Sequence, residues 1–516
     1  MKKTILIAVI LSLASLQVQA QKNFPKNEEE DSTHVMSAAY WNLWNTEEQK
    51  KIDRDIDENR KADGNIILPQ VKEGTKVKVE LVKHDFIFGA HIFNFNQLGS
   101  KERNDKYKAL YGTLFNSATI AFYWRAFETE PNRLRFREEY WDTEDFWNNE
   151  KNPKQALNWR RPATDPVVKF CEQKGIRLHG HTMIWGNRKW QNPDWLMNFM
   201  PKDERIKADS MLIEKGNTIN HHDYDTWNEF YQKSSPAELQ KIFPIYTREL
   251  NRLFAKRISD IAKYYAGRLD SWDIVNESNA DYTKNLLIPG DSLCKSTYGL
   301  MAGDYAFNAF QTAVKVFPQK VKLNINDYTN NQSYADEVKD LLKRGCKIDI
   351  VGSQMHLFNP QQCLDIAKGE KIETPEIVRN RMKIIGSTGL PIHLSEITIP
   401  APGNDTRGRQ IQAVIARNLY RLWFSIKPMM GITWWNVVDD CGAPGETSVS
   451  GLFTRDMQPK PAYYALEQLI NHEWKTSFTT TVSRGGKINF RGFRGTYLVS
   501  WNDTSGKKHT QKYILK

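Results

Sequence analysis

Cysteine is scarce. Cys171, Cys294, Cys346, Cys363 and Cys441 are the five in 516 residues. None falls in a CxxC pair, which argues against a zinc site, and the low, odd count argues against a fold that depends on a disulfide framework. Beyond the first twenty residues no apolar stretch is long enough to span a bilayer, so no membrane-spanning segment is expected. No block of lysine and arginine interleaved with aromatics stands out, although the net charge is +11. A nucleic-acid partner is therefore the weakest reading of that charge, behind an anionic glycan or lipid surface. Neither a metal nor a cofactor is expected, and nothing suggests more than a monomer.

Aromatic residues, by contrast, are abundant at 12%, with 16 tryptophans. Aromatic faces stack on sugar rings, yet filling a core is the better prior for any one of them. Residues 1–20 read as a secretory signal: Lys2 and Lys3, an apolar run over 4–16, then Val18-Gln19-Ala20. Residue 21 is glutamine rather than cysteine, so no lipid anchor is implied and a secreted or periplasmic location is expected.

Two short stretches carry the chemistry. Trp272-Asp273-Ile274-Val275-Asn276-Glu277 and Ile392-His393-Leu394-Ser395-Glu396 are apolar runs that end on a glutamate. A strand ending in a carboxylate places charge where the chain leaves a sheet. Two such strands can aim two carboxyls at one point. Splitting a glycosidic bond needs that pair, one to protonate the leaving oxygen and one to attack or to activate water.

From residue 86 onward short apolar strands alternate with helical stretches. Eight strands are predicted at 86–92, 115–119, 176–184, 269–276, 320–326, 348–354, 391–395 and 431–437, with helices such as 250–265 and 303–316 between them. This predicts an α/β fold, a (β/α)8 TIM barrel, with a small β accessory domain built from both chain ends. The expected division is a signal at 1–20, a polar and helical segment at 21–62, a hairpin at 63–84, a catalytic barrel at 85–470 and C-terminal strands at 471–516. In the N-terminal segment Ile52 and Ile56 lie four apart on one helix face. Residues 193–245, with Trp195, Trp227, Phe230 and Tyr231, read as an inserted loop or lid.

Six motifs resemble glycoside hydrolase family 10, the xylanase family of clan A, and occur in that family's order. They are Gly180-His181-Thr182-Met183-Ile184-Trp185, the stretch ending at Glu277, Asn326-Asp327-Tyr328, Gly352-Ser353-Gln354-Met355-His356, Ser395-Glu396, and Gly431-Ile432-Thr433-Trp434-Trp435. Pro459 to Tyr464 matches the stretch that closes the domain. Glu473-Trp474-Lys475 and Phe490-Arg491-Gly492-Phe493 look like the C-terminal extension of plant-type members. The resemblance implies Glu277 as acid/base and Glu396 as nucleophile of a retaining endo-1,4-beta-xylanase acting on a polysaccharide. It implies that His356 and Gln354 orient the nucleophile and the leaving group's surroundings. Asn276 would bond the sugar 2-hydroxyl, and His181, Trp185 and Trp435 would line the −1 site.

The −2 site departs from the family. Ala121 and Phe122 stand where it has Glu-Asn, and Arg125 where it has lysine. Gly186 and Arg188 replace a histidine and a glutamine, and Ala443 replaces a second tryptophan. Arg125 and Arg188 are therefore candidate contacts for an anionic or decorated chain, unless they pair with protein carboxylates. Two rival readings remain: a retaining β-glycosidase of the same clan acting on another glycan, and a catalytically silent carbohydrate-binding barrel.

Overall fold

The computed structural model describes residues 24–187, 190–214, 234–297 and 299–516. The predicted signal, Arg188, and Trp227, Phe230 and Tyr231 of the predicted lid lie outside the described residues.

Eight strands form a closed parallel ring: β1 (Ile87–His91), β2 (Ser117–Ala121), β3 (Arg177–His181), β4 (Ser271–Asn276), β5 (Lys322–Asp327), β6 (Ile350–His356), β7 (Ile392–Thr398) and β8 (Met429–Trp434). The ring closes where Gly431 of β8 faces Ile87 of β1. Every residue of β1, β2, β4 and β7 is buried, as expected of strands covered on one side by helices and on the other by the barrel interior. The strand positions agree with the sequence pattern to within a few residues. The largest displacement is in β8, which runs from Met429 to Trp434 where 431–437 was expected.

Helices surround the ring. Pro244–Tyr265 precedes β4, and its N-terminal N–H groups at Ile245 and Tyr246 donate to the buried Glu204 carboxylate (2.8 Å each), a charge suited to a helix N-terminus. The N-terminal helix, Thr46–Arg60, is capped by the Asn45 side chain, which accepts from the Glu48 N–H (3.0 Å). Its buried face is Ile52 and Ile56, and it packs on the long helix Thr406–Ser425, where Arg421 reaches Gln49 and Asp53. All five cysteines are buried and unpaired.

Outside the ring, strands from both ends of the chain interleave. Lys76–His84 lies between Ser477–Thr481 and Gly495–Asn502, and Lys508–Leu515 forms an edge, all antiparallel. Lys61–Ile67 pairs instead with Lys487–Phe493. The hairpin predicted over 63–84 is thus corrected: its two strands pair with C-terminal partners and not with each other. Local alternation is identical in either arrangement. Val77, Val79 and Leu81 are buried, and Ile66 and Leu68 are buried around an exposed Ile67. Among the described residues no helix is long and apolar enough to cross a membrane.

One close contact ties barrel geometry to sequence. Gly180 of β3 lies under the Trp272 indole of β4, and a Cβ there would sit 2.1 Å from the ring. Gly180→Ala should therefore destabilise the fold by about 2 kcal/mol or more through overpacking. Val82→Ala, at an exposed position, should change stability by less than about 0.5 kcal/mol. Denaturant midpoints of the two variants check this.

Candidate active site

Glu396 lies in β7 near its C-terminal end, buried and flanked by donors. Its Oε1 accepts from Asn326 Nδ2 (2.8 Å), and its Oε2 lies 3.3 Å from His356 Nε2. The Asn326 amide is fixed by its other partners. Ser395 Oγ donates to its Oδ1 (2.5 Å), and its Nδ2 also donates to Asn276 Oδ1 (2.8 Å). Both protons of this one amide are therefore committed, and they join the ends of β4, β5 and β7. His356 Nδ1 is held by Thr398 Oγ1 (2.8 Å).

Glu277 is the first residue beyond β4 and adopts φ 57°, the left-handed region that a side chain seldom occupies. Its N–H donates to the Asn326 carbonyl (2.7 Å). Its Oε2 accepts from Trp185 Nε1 (2.9 Å) and its Oε1 from Gln354 Nε2 (3.2 Å). Burial pushes this carboxyl up to about 8, with the charges of Glu396 and then Asp327 adding to the rise; the two hydrogen bonds only partly offset it. Behind it, Asp327 accepts from the Asn279 N–H (3.0 Å), while Glu337 accepts from Ser278 Oγ (2.5 Å) and Asn279 Nδ2 (2.9 Å). The turn that carries Glu277 is thus pinned from β5 and from the helix Gln332–Lys343.

His181 sits at the end of β3. Its Nδ1 donates to Asp273 (2.8 Å), which leaves Nε2 facing Glu396 at 3.9 Å. His179 bonds the same Asp273 oxygen (2.9 Å). Burial raises the Asp273 carboxyl, but the two imidazoles overcome that and hold it well below the usual carboxylate range.

These residues line a cleft of about 850 Å³ at the C-terminal ends of the strands. Glu277, Glu396, Asn276, His181, Trp185, Gln354, His356 and Trp435 all lie in its wall. Gln354 reaches Glu277 and Asn276 rather than Glu396; Asn326 contacts the latter. Tyr328 and Phe358 add exposed aromatic faces to the cleft.

The candidate −2 residues fare differently. Arg125 pairs with Asp194 (3.1 Å) and does not line this cleft. Phe122 is fully buried against Phe127, Tyr265 and Trp272. In their place the cleft has Tyr123, whose ring packs on His181 (5.3 Å between centroids) and Trp185 (5.9 Å), and Glu446. Glu446 accepts from Trp435 Nε1 (2.9 Å), Asn436 Nδ2 (2.7 Å) and the Ala443 N–H (2.9 Å). Sequence reasoning assigned no role to Asn326, Asp273, Tyr123 or Glu446. The first two stand inside the quoted motifs, at Asn326-Asp327-Tyr328 and in the stretch ending at Glu277. Glu446 lies on a loop with no pattern to mark it.

Residues 80–469 match the sequence pattern described as glycosyl hydrolase family 10. The chain belongs to that family. Among its relatives are an endo-1,4-beta-xylanase A of Thermoanaerobacterium saccharolyticum, 24% identical over 318 residues, and one of Caldicellulosiruptor sp. (strain Rt8B.4), 26% identical over 316. An exoglucanase XynX of Acetivibrio thermocellus is 25% identical over 318 residues. These alignments cover 60%, 58% and 60% of this chain but only 23%, 38% and 24% of the respective relatives. The native xylanase 10B of Thermotoga maritima shares the fold, with a TM-score of 0.50 at 18% identity over 75% of this chain and 96% of that one.

In this family-10 site the proton on Glu277 depends on neighbouring charge. Asp327→Asn and Glu396→Gln each remove a negative charge that raises the Glu277 carboxyl, so each should move its titration from about 8 toward lower pH, Glu396→Gln by more. Difference infrared titration of the carboxyl band, referenced to Glu277→Gln, checks both sign and order.

Proposed function

We propose that the protein is a retaining glycoside hydrolase that cleaves internal β-1,4 bonds of xylan by double displacement. One observation carries this reading: two carboxyls face one cleft, and burial with the Glu396 charge pushes one of them, Glu277, up to about 8. Glu396, set among N–H donors, is the nucleophile. Its oxygen attacks the anomeric carbon as the glycosidic bond breaks, and the Glu277 proton passes to the leaving oxygen. The resulting Glu277 carboxylate is received by the donors already on it, Trp185 Nε1 and Gln354 Nε2. It then takes a proton from water, which attacks the anomeric carbon and releases Glu396. Two inversions leave the configuration retained.

Asn276 has its Oδ1 occupied by Asn326 and Gln354, so its Nδ2 is the group left to donate to a sugar 2-hydroxyl. That contact strengthens as positive charge develops on the ring. Trp435 forms the floor under the reacting sugar, and the open faces of Tyr328 and Phe358 suit stacking of further sugars. The names of the xylanase relatives support xylan. A second reading, a retaining β-glycosidase acting on another β-glycan, is favoured by the altered −2 residues Ala121 and Phe122. We further propose that the enzyme is exported and acts as a monomer.

Turnover on a panel of neutral and decorated polysaccharides, with products identified by mass, separates these substrates. Glu396→Ala should abolish turnover on all of them. Glu277→Ala should slow substrates with poor leaving groups by roughly 100- to 10,000-fold, should spare the first step on an activated aryl glycoside, and should be rescued by azide. Proton NMR should detect the retained anomer first; an inverted first product would refute the double displacement.

A further inference from the structure

At the Tyr123 and Glu446 end of the cleft the charges do not balance. Arg160 is buried, lies 3.7 Å from Glu446, and donates to Asn436 Oδ1 (2.8 Å). Burial raises Glu446, but Arg160 and the donors Trp435, Asn436 and Ala443 overcome it and hold the carboxyl low. Glu446 and Arg160 thus neutralise each other. The next residue, Arg161, adds a second guanidinium. Its Cζ lies 3.5 Å from the centroid of the Tyr123 ring and 5.4 Å from that of Phe93. The guanidinium makes one protein hydrogen bond among the described residues, from Nη1 to the Arg160 carbonyl (2.9 Å). No carboxylate among the described residues forms an ion pair with it. Burial pushes Arg161 down to about 10, so it stays charged at neutral pH while bearing a desolvation cost. A half-buried arginine ordinarily has an acidic partner that offsets this cost.

The position of this cation matters. Tyr123 touches His181 and Trp185, which stand beside Glu396 and Glu277. Ala121, Tyr123, Phe93 and Trp435 form a small apolar cluster here. The side chains that would grip a neutral sugar through an acid and an amide are missing from β2. The Tyr123 ring stands there instead, and the Arg161 guanidinium packs against that ring without itself lining the cleft; its planar donor fork matches the paired oxygens of a carboxylate or sulfate.

We propose that Arg161 is a specificity-determining residue that receives an anionic group, a carboxylate or a sulfate, carried by the sugar next to the reacting one on its non-reducing side. This rests on the glycoside hydrolase reading above and names the substrate class of that same cleft.

The test compares kcat/KM on three β-1,4-xylo-oligosaccharides of equal length: unsubstituted, uronate-substituted and sulfated. The wild type, Arg161→Gln and Arg161→Lys are each assayed on all three. The wild type should favour one of the two charged chains at least tenfold, and which one identifies the anion. Arg161→Gln should lower that preference roughly ten- to a hundredfold, as for loss of a charge-assisted hydrogen bond. Arg161→Lys, which keeps the charge but not the fork, should retain part of it. The readout is a ratio between substrates, so the amount of folded enzyme cancels. A wild type that prefers the unsubstituted chain, or a preference unchanged in Arg161→Gln, overturns the inference and leaves the hydrolase reading standing. Cleavage of none of the three chains by the wild type overturns that reading and the inference together.

Discussion

Two carboxyl groups enclosed at the mouth of one barrel resist being charged together, and the rest of the site follows from that constraint. Burial and the Glu396 charge raise Glu277 to about 8. The asymmetry between the two is built from contacts. Glu396 has the Asn326 amide and the His356 ring at its oxygens, whereas Glu277 has an indole, a side-chain amide and a further acid, Asp327, at its back. The same environment that keeps the proton on Glu277 also provides donors for the carboxylate left after the proton departs. Differential stabilisation of that kind is what a general acid requires.

The scaffold transmits this arrangement through a few committed polar atoms. Asn326 of β5 spends both amide protons and its side-chain carbonyl oxygen on two neighbouring strand ends, which ties β4, β5 and β7 together there. Asp273 does the same on the other side, collecting His179 and His181 of β3 on one oxygen. Buried polar groups carry a desolvation cost unless satisfied, and here that cost enforces geometry. The strands that interleave from both chain ends stand outside the ring and leave the cleft to the barrel loops.

The eight strands and both glutamates were legible in the sequence because their signals are local. A buried parallel strand reads as an apolar run, and a carboxylate at its end breaks that run visibly. Helix Thr46–Arg60 was legible for the same reason, through Ile52 and Ile56 on one face. The hairpin was misread because alternation records which side chains are buried and not which backbone pairs with which. Lys61–Ile67 and Lys76–His84 found partners more than four hundred residues away. The partner of Arg125 was not legible for a similar reason: Asp194 lies 69 residues along the chain.

By itself, then, the sequence determined the barrel, the two glutamates at its strand ends and most of the motif residues that line the cleft with them. Each of these depends on residue type and position along one strand. Only the tertiary structure decided which donor serves which carboxyl, that burial and neighbouring charge raise Glu277, and that Tyr123 and Glu446 line the far end of the cleft with Arg161 packed against Tyr123. Those outcomes depend on distances between residues remote in the chain and on how much water their packing excludes. Neither quantity is written in local pattern, because Coulomb interaction and desolvation act through space, whereas periodicity and propensity act along the chain.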